Sequence, residues 1–278
     1  MREITEEAVL AEYNKQPRRM SFRDSKGSQT WTGLKKRPDK STFSTHIESA
    51  KKMFEIQTGL KLRYSFEYKN YWNYFHEKDT VEIERWIISQ GTLIYLRDCL
   101  SLSIALDINY LYISEKYTPI GCLEDKGKKE EDEKSIHELA DKVEQKIRDL
   151  PYYKDADLIC SVPSASDKVF DLPDRVVSLV DKKIDKQNIT KAFSFSGAKP
   201  PVKDIALDER WQVWEDAQVS FQKGDEFNIG DKTVILIDDK YQSGRTIQYI
   251  AMKLQQAGAR EVYGLSFVKT VSDGQRIA

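Results

Sequence analysis

Val234-Ile235-Leu236-Ile237-Asp238-Asp239-Lys240-Tyr241-Gln242-Ser243-Gly244-Arg245-Thr246 decides how this chain reads. Four aliphatic residues in a row predict a strand buried on both faces, as in parallel sheets. The return to helical spacing from Ile247 to Gln256 predicts a helix directly after it. The turn between them falls at the carboxyl end of a strand, where open α/β sheets bind ligands. Ser243, Gly244 and Thr246 stand where that helix begins. Free backbone N–H groups, two hydroxyls and the positive end of the helix dipole converge there, which favours a phosphate. Asp238 and Asp239 cannot favour the same anion, so the ligand must also carry hydroxyls or share a metal. The competing reading is an ordinary buried strand, an Asp-rich turn and a Ser-capped helix.

A 5-phosphoribosyl group with Mg²⁺ meets both demands. The segment resembles the phosphoribosyl-pyrophosphate (PRPP) signature of type I phosphoribosyltransferases: an aliphatic strand, two acidic residues, two variable residues, then a Thr/Ser-Gly-x-Thr turn. The resemblance implies that Asp238 and Asp239 hold the ribose 2′- and 3′-hydroxyls and meet Mg²⁺ only indirectly, with PRPP. It also implies that Gln242, Ser243, Gly244, Arg245 and Thr246 cradle the 5′-phosphate. Lys240, Gln242 and Arg245 depart from the aliphatic, Thr and small residues commoner at those places.

The charged fraction of 32% and the formal net charge of -1 describe a chain with no global pull toward nucleic acid or membrane. No apolar run approaches a bilayer span, and Met1 to Glu7 lacks the hydrophobic core of a signal peptide, so a cytoplasmic location is expected. Cys99, Cys122 and Cys160 stand apart, without the spacing of a disulfide framework or zinc ribbon.

Upstream, Leu158 to Pro163 reads as a short strand ending in the small, polar loop Ser164-Ala165-Ser166-Asp167-Lys168. In type I phosphoribosyltransferases that place binds pyrophosphate, so Ser164, Ala165, Ser166 and Lys168 are candidate ligand residues; a plain turn is the alternative. Arg175 to Lys186 has the stripe of a surface helix. Lys199-Pro200-Pro201-Val202-Lys203-Asp204-Ile205-Ala206-Leu207-Asp208-Glu209-Arg210 resembles the Pro-Pro-Gln-Lys-x-Leu-x-x-x-Glu-Arg run of the ComF-like branch, a mobile hood over the PRPP site. The resemblance makes Lys203, Glu209 and Arg210 candidate catalytic residues beside Asp238 and Asp239. A lid there excludes water from a reacting sugar; the alternative is an exposed loop followed by an amphipathic helix carrying Trp211 and Trp214.

Tyr117 to Ala140 resembles the ComF-like strand, charged loop and helix, with Glu124 to Lys134 read as a solvated loop and Ser135 to Leu150 as an amphipathic helix. His137 falls on that helix's polar side. From Leu158 onward the elements alternate as a parallel sheet with crossover helices requires, ending in the strand Glu261 to Val268. The resemblance covers about residues 91 to 270.

Residues 1 to 90 are different material. Lys15 to Lys40 carries nine basic and two acidic side chains. With Trp31 and the aromatics Phe66, Tyr68, Tyr71, Trp72, Tyr74 and Phe75, this region can engage nucleic acid or a protein partner. The alternative is a flexible arm with aromatics packed on the sheet. The ComF-like zinc ribbon has no cysteines here to form it. Asp79 to Ile108 is apolar around most of its circumference and predicts one or two buried helices.

The expectation is an α/β protein with the parallel-sheet type I phosphoribosyltransferase fold over residues 91–278. A mostly helical, basic and aromatic extension occupies 1–90, as an arm or a small partner- or nucleic-acid-binding domain. The function implied is phosphoribosyl transfer from PRPP with Mg²⁺ to an acceptor, a glycosyltransferase-class reaction. The alternative is an effector that senses PRPP or a nucleotide, as in DNA uptake or antiphage defence such as a retron. A homodimer is one simple expectation, and no membrane partner is expected.

Overall fold

The aliphatic run forms the middle of a longer strand, Thr233–Tyr241, at the centre of a mixed α/β fold. The computed structural model describes residues 2–23, 33–111, 114–164, 170–197, 205, 209–222 and 224–271. Ala165, Ser166, Lys168, Lys203 and Trp31 lie outside these. Among the described residues the main sheet runs Arg19–Met20, Ile94–Leu96, Leu102–Ile108, Glu261–Lys269, Thr233–Tyr241, Leu158–Ser161, Gln187–Asn188. The last five strands are mutually parallel, and Ile94–Leu96 is antiparallel to both of its neighbours.

The central strands are sandwiched, and their alternate residues feed two cores. Ile235, Ile237, Leu265 and Phe267 pack on one face beneath the helices Glu48–Thr58, Glu133–Asp149 and Leu172–Val180. Val234, Leu236 and Val262 face the opposite side, against Ile247, Ile250 and Leu254 of the helix Arg245–Ala257 and against Trp211 and Trp214. Burial on both faces explains why the strand reads as an unbroken apolar run. Gly258, at φ +111°, ends the helix Arg245–Ala257 in the left-handed region that favours glycine.

Three expectations are corrected. Of the one or two helices expected in Asp79 to Ile108, one is present and the rest is strand: the helix Glu77–Gln90 stops at Gly91 (φ +57°), and the strands Ile94–Leu96 and Leu102–Ile108 follow. A short apolar run buried on both sides has no period to tell strand from helix. Glu124 to Lys134 is not a solvated loop. Thr118 caps a helix, Pro119–Lys129, by accepting from the Gly121 N–H at 3.0 Å, and Gly127 lies close against Leu172 and Ile136. Lys and Glu are good helix formers, so charge alone did not mark a loop. The helix expected at Arg175 to Lys186 is instead Leu172–Val180, begun by Asp171 as its cap.

The N-terminal region is not mostly helical. Beside Glu6–Tyr13, Glu48–Thr58 and Glu77–Gln90 it holds a four-stranded antiparallel sheet, in the order Gly33–Lys36, Ser41–Thr45, Asn70–Phe75, Arg63–Ser65. Phe43, Phe54 and Trp86 pack beneath that sheet, with Phe43 and Phe54 stacked at 4.3 Å. Of the aromatic cluster, Phe75 is buried whereas Phe66 and Tyr68 are exposed. The region is also woven into the main sheet. Arg19 and Met20 pair with Leu96 and Tyr95, and the Ile4 N–H donates to Gln255 Oε1 at 2.9 Å.

Candidate functional site

The signature places two chemically opposed sites within a few residues at the carboxyl edge of the parallel strands. Asp238 and Asp239 lie inside the strand's last turn of pairing, with Asp238 opposite Ser266 in the neighbouring strand. Beyond Tyr241 the chain turns through Gln242, Ser243 and Gly244 and enters the helix Arg245–Ala257. Gly244 adopts φ +78°, and a Cβ there would stand 2.1 Å from Tyr241 Oη, so only glycine fits the turn. Tyr241 Oη in turn donates to Asp98 Oδ2 at 3.1 Å.

No side chain caps this helix; the Arg245 N–H reaches Ser243 Oγ only at 3.4 Å. The first turn therefore keeps donors for an anion, with Thr246 half-buried at its second residue. Cations surround the turn. Arg210 Nη1 donates to Gln242 Oε1 at 3.0 Å, and Lys269 Nζ, fully buried, donates to Gln242 O at 3.1 Å. Arg18 Nη2 donates to Ser243 O at 3.2 Å. Burial and the neighbouring Arg245 charge hold the Arg210 guanidinium below its ordinary value.

The acidic pair is tuned differently. Asp238 is 9% exposed, and burial, then the charge of Asp239, push its carboxyl well above the usual range. The Asp239 N–H donates to Asp238 Oδ1 at 3.0 Å. Asp239 forms an ion pair with Lys128, and Lys240 Nζ lies 3.0 Å from Glu124 Oε2. Burial alone would lower the Lys128 ammonium, but Asp239 outweighs it and the net shift is upward. Glu124 is fully buried, and that burial raises its carboxyl in spite of Lys240. Two adjacent carboxyl groups, one of them paired with Lys128, can accept from the hydroxyls of a vicinal diol.

Of the residues expected from sequence, Asp238, Asp239, Gln242, Ser243, Gly244, Arg245, Thr246 and Arg210 come together here. Ser164 is half-buried just beyond the strand Leu158–Ser161, which the Val162 N–H ties to Ile237 O at 2.8 Å. The charge of Asp171 is felt at Asp238, so the chain at Asp171 lies near the pair. Glu209 is exposed at the start of the helix Arg210–Asp216. Of the hood, Ile205 and the residues from Glu209 onward are described, and Arg210 Nε donates to Ile205 O at 3.2 Å. Trp211 and Trp214 are buried against Tyr249, at 5.0 and 5.8 Å between ring centroids. His137 is a surface residue, 3.7 Å from Glu133.

Sequence reasoning missed Lys128, Glu124, Arg18 and Lys269. The first two were assigned to a loop, and nothing in the spacing of the others ties them to the signature. Among the described residues no group of three or more His, Cys, Asp or Glu can hold a metal, and no helix is long and apolar enough to cross a membrane.

No family model matches the chain, and no curated protein does. Among solved structures it is similar to adenine phosphoribosyltransferase from Trypanosoma brucei in complex with AMP, pyrophosphate and ribose-5-phosphate. The TM-score is 0.36 and the identity 12%, over 63% of this chain and 86% of that one. A likeness so distant carries no function by itself.

Proposed function

We infer that the chain binds PRPP with Mg²⁺ and transfers its phosphoribosyl group to an acceptor, with release of pyrophosphate. The observation that carries this reading is the adjacency of two opposed groups on one strand end: a carboxyl pair suited to a diol, Asp238 buried and Asp239 half-buried, and an uncapped, cation-lined turn suited to a phosphate. In that reaction the acceptor's lone pair forms the new bond to C1′ of the ribose. The bond from C1′ to the pyrophosphate oxygen breaks, its electrons leave with pyrophosphate, and the acceptor's proton passes to solvent or a base. The sugar becomes cationic on the way.

Asp239, held by Lys128, would offset that charge, and Asp238 would hold the ribose hydroxyls. Asp238 and Asp239 are the residues that would hold Mg²⁺, through oxygens of the ligand, and its chemistry there is to neutralise the departing pyrophosphate. Arg210 would close the turn from the hood through Gln242, and Ser164 would stand at the pyrophosphate end. Ala165, Ser166, Lys168 and Lys203 complete the assignment by resemblance alone. So does the ComF-like branch, whose Glu-Arg pair is Glu209 and Arg210.

Calorimetric titration with PRPP and Mg²⁺ tests the reading. Saturable binding that the Asp238→Asn, Asp239→Asn double variant loses is expected, followed by pyrophosphate release on screening acceptors. No binding by the intact protein overturns it.

A further inference from the structure

The four-stranded antiparallel sheet of the N-terminal region has two unlike faces. Ser41, Phe43 and Thr45 are buried, and their partners across the ladder, Phe75, Asn73 and Tyr71, share that side, which packs on the helices Glu48–Thr58 and Glu77–Gln90. Alternation along each strand turns Lys35, Thr42, Arg63, Trp72 and Tyr74 to the other face. The register sets Lys35 opposite Thr42, Thr42 opposite Tyr74, and Arg63 opposite Trp72. This face is open: Lys35 and Arg63 are exposed, Tyr74 is 44% exposed and Trp72 is half-buried.

Trp72 and Tyr74 stand two residues apart on the interior strand Asn70–Phe75, edge to face with 5.0 Å between ring centroids. The Arg63 guanidinium carbon lies 4.4 Å from the centre of the Trp72 ring, and Lys40 Nζ lies 4.6 Å from that of Tyr74. Lys35 adds a third cation beyond Thr42. Charge is arranged differently on the side toward the helices, where Lys36 pairs with Glu84 and Lys51 with Glu55. Among the described residues, Lys35, Lys40 and Arg63 are in no ion pair.

Open rings rimmed by cations without carboxylates suit a polyanion that also carries flat apolar groups. The core of a protein interface is depleted of Lys, and a duplex hides the faces of its bases. We propose that the outer face of this sheet binds a single strand of nucleic acid, with bases stacked on Trp72 and Tyr74 and phosphates against Lys35, Lys40 and Arg63. A stacked base is held more strongly than an exposed cation over the same ring, so Arg63 and Lys40 swing on their long side chains from ring to phosphate. Contacts to base faces and phosphates carry little sequence preference. The proposal goes beyond the phosphoribosyl reading and does not rest on it.

The test is fluorescence anisotropy of the full chain with a labelled oligothymidylate of about ten nucleotides, at several salt concentrations, with thermal unfolding of each variant as a check on folding. Three phosphate contacts predict a slope of log K against log salt of about −2, which the Lys35→Gln, Lys40→Gln, Arg63→Gln triple variant should flatten. Trp72→Ala is expected to weaken binding about tenfold, with Trp72→Phe staying close to wild type. No binding by wild type, an unchanged slope in the triple variant, or equal binding by a folded Trp72→Ala overturns the proposal. So does equal affinity for a duplex of the same length, which would mean charge without stacking. Displacement of the probe by polyglutamate as readily as by unlabelled oligothymidylate marks an acidic protein as the occupant and also overturns it. Should Trp72→Ala not fold, the more exposed Tyr74→Ala decides: several-fold weaker binding supports the platform, and unchanged binding overturns it.

Discussion

At Asp238 and Asp239 the chain meets its own carboxylates with its own ammoniums, Lys128 on Asp239 and Lys240 on neighbouring Glu124. A few residues on, the turn is handled in the opposite way: Arg18, Arg210 and Lys269 donate to neutral oxygens of Ser243 and Gln242. The difference teaches that one strand end meets cations in two ways, at carboxylates in the acidic pair and at carbonyl and amide oxygens in the turn.

The sharpest way to break this contrast is at Gly244. Gly244→Ala brings a Cβ onto Tyr241 and forces a side chain into φ +78°, costing about 1–3 kcal/mol of stability. Displacement of the turn should weaken binding of inorganic phosphate about a hundredfold, read by titration beside a thermal melt. The Asp238→Asn, Asp239→Asn double variant attacks the other end. It should weaken PRPP about tenfold or more while leaving inorganic phosphate unchanged. Equal loss of both ligands would show that the two ends are not separate.

Lys128→Met sharpens the contrast with a smaller effect. Without its cation, Asp239 adds to the charge beside Asp238, and PRPP binding without Mg²⁺ should fall about threefold, with added Mg²⁺ restoring it. A fall that Mg²⁺ leaves untouched would place Lys128 in the fold rather than in the charge balance.

A pH-dependent effect concerns Asp98, which accepts from Tyr241 behind the turn. Although partly accessible, its carboxyl is desolvated and pushed up to about 6, against bonds from Ser103, Leu100 and Tyr241 that lower it. A carboxyl raised in the folded state contributes stability that is full below its unfolded value and lost as pH rises through about 6. Asp98→Asn should therefore gain stability relative to wild type between about pH 4 and pH 6. Melts across that range check it, and a constant difference would remove Asp98 as the source.

The strand, the turn and the helix of the signature were legible because each obeys a local rule: an aliphatic run, a glycine where a Cβ cannot fit, and helical spacing ended by Gly258. The placing of the acidic pair and the turn at the strand's carboxyl end followed from that order. The helix Pro119–Lys129 was hidden because its residues are charged, and charge describes solvation only when a segment stays on the surface. Glu124 is charged and wholly buried. The strand Leu102–Ile108 was hidden because burial on both faces erases the period that separates strand from helix.

By itself, then, the sequence determined the parallel-sheet core around Val234 to Ile237 and the order of acidic pair, glycine turn and helix at its end, since these are set by residues adjacent in the chain. Only the tertiary structure decided what surrounds them. Lys128 reaches Asp239 across 111 residues, Arg18 reaches Ser243 across 225, and Arg210 reaches Gln242 across 32. Charge acts through space at a few ångströms, and the spacing of residues along a chain holds no record of which distant cation the fold will bring within that range.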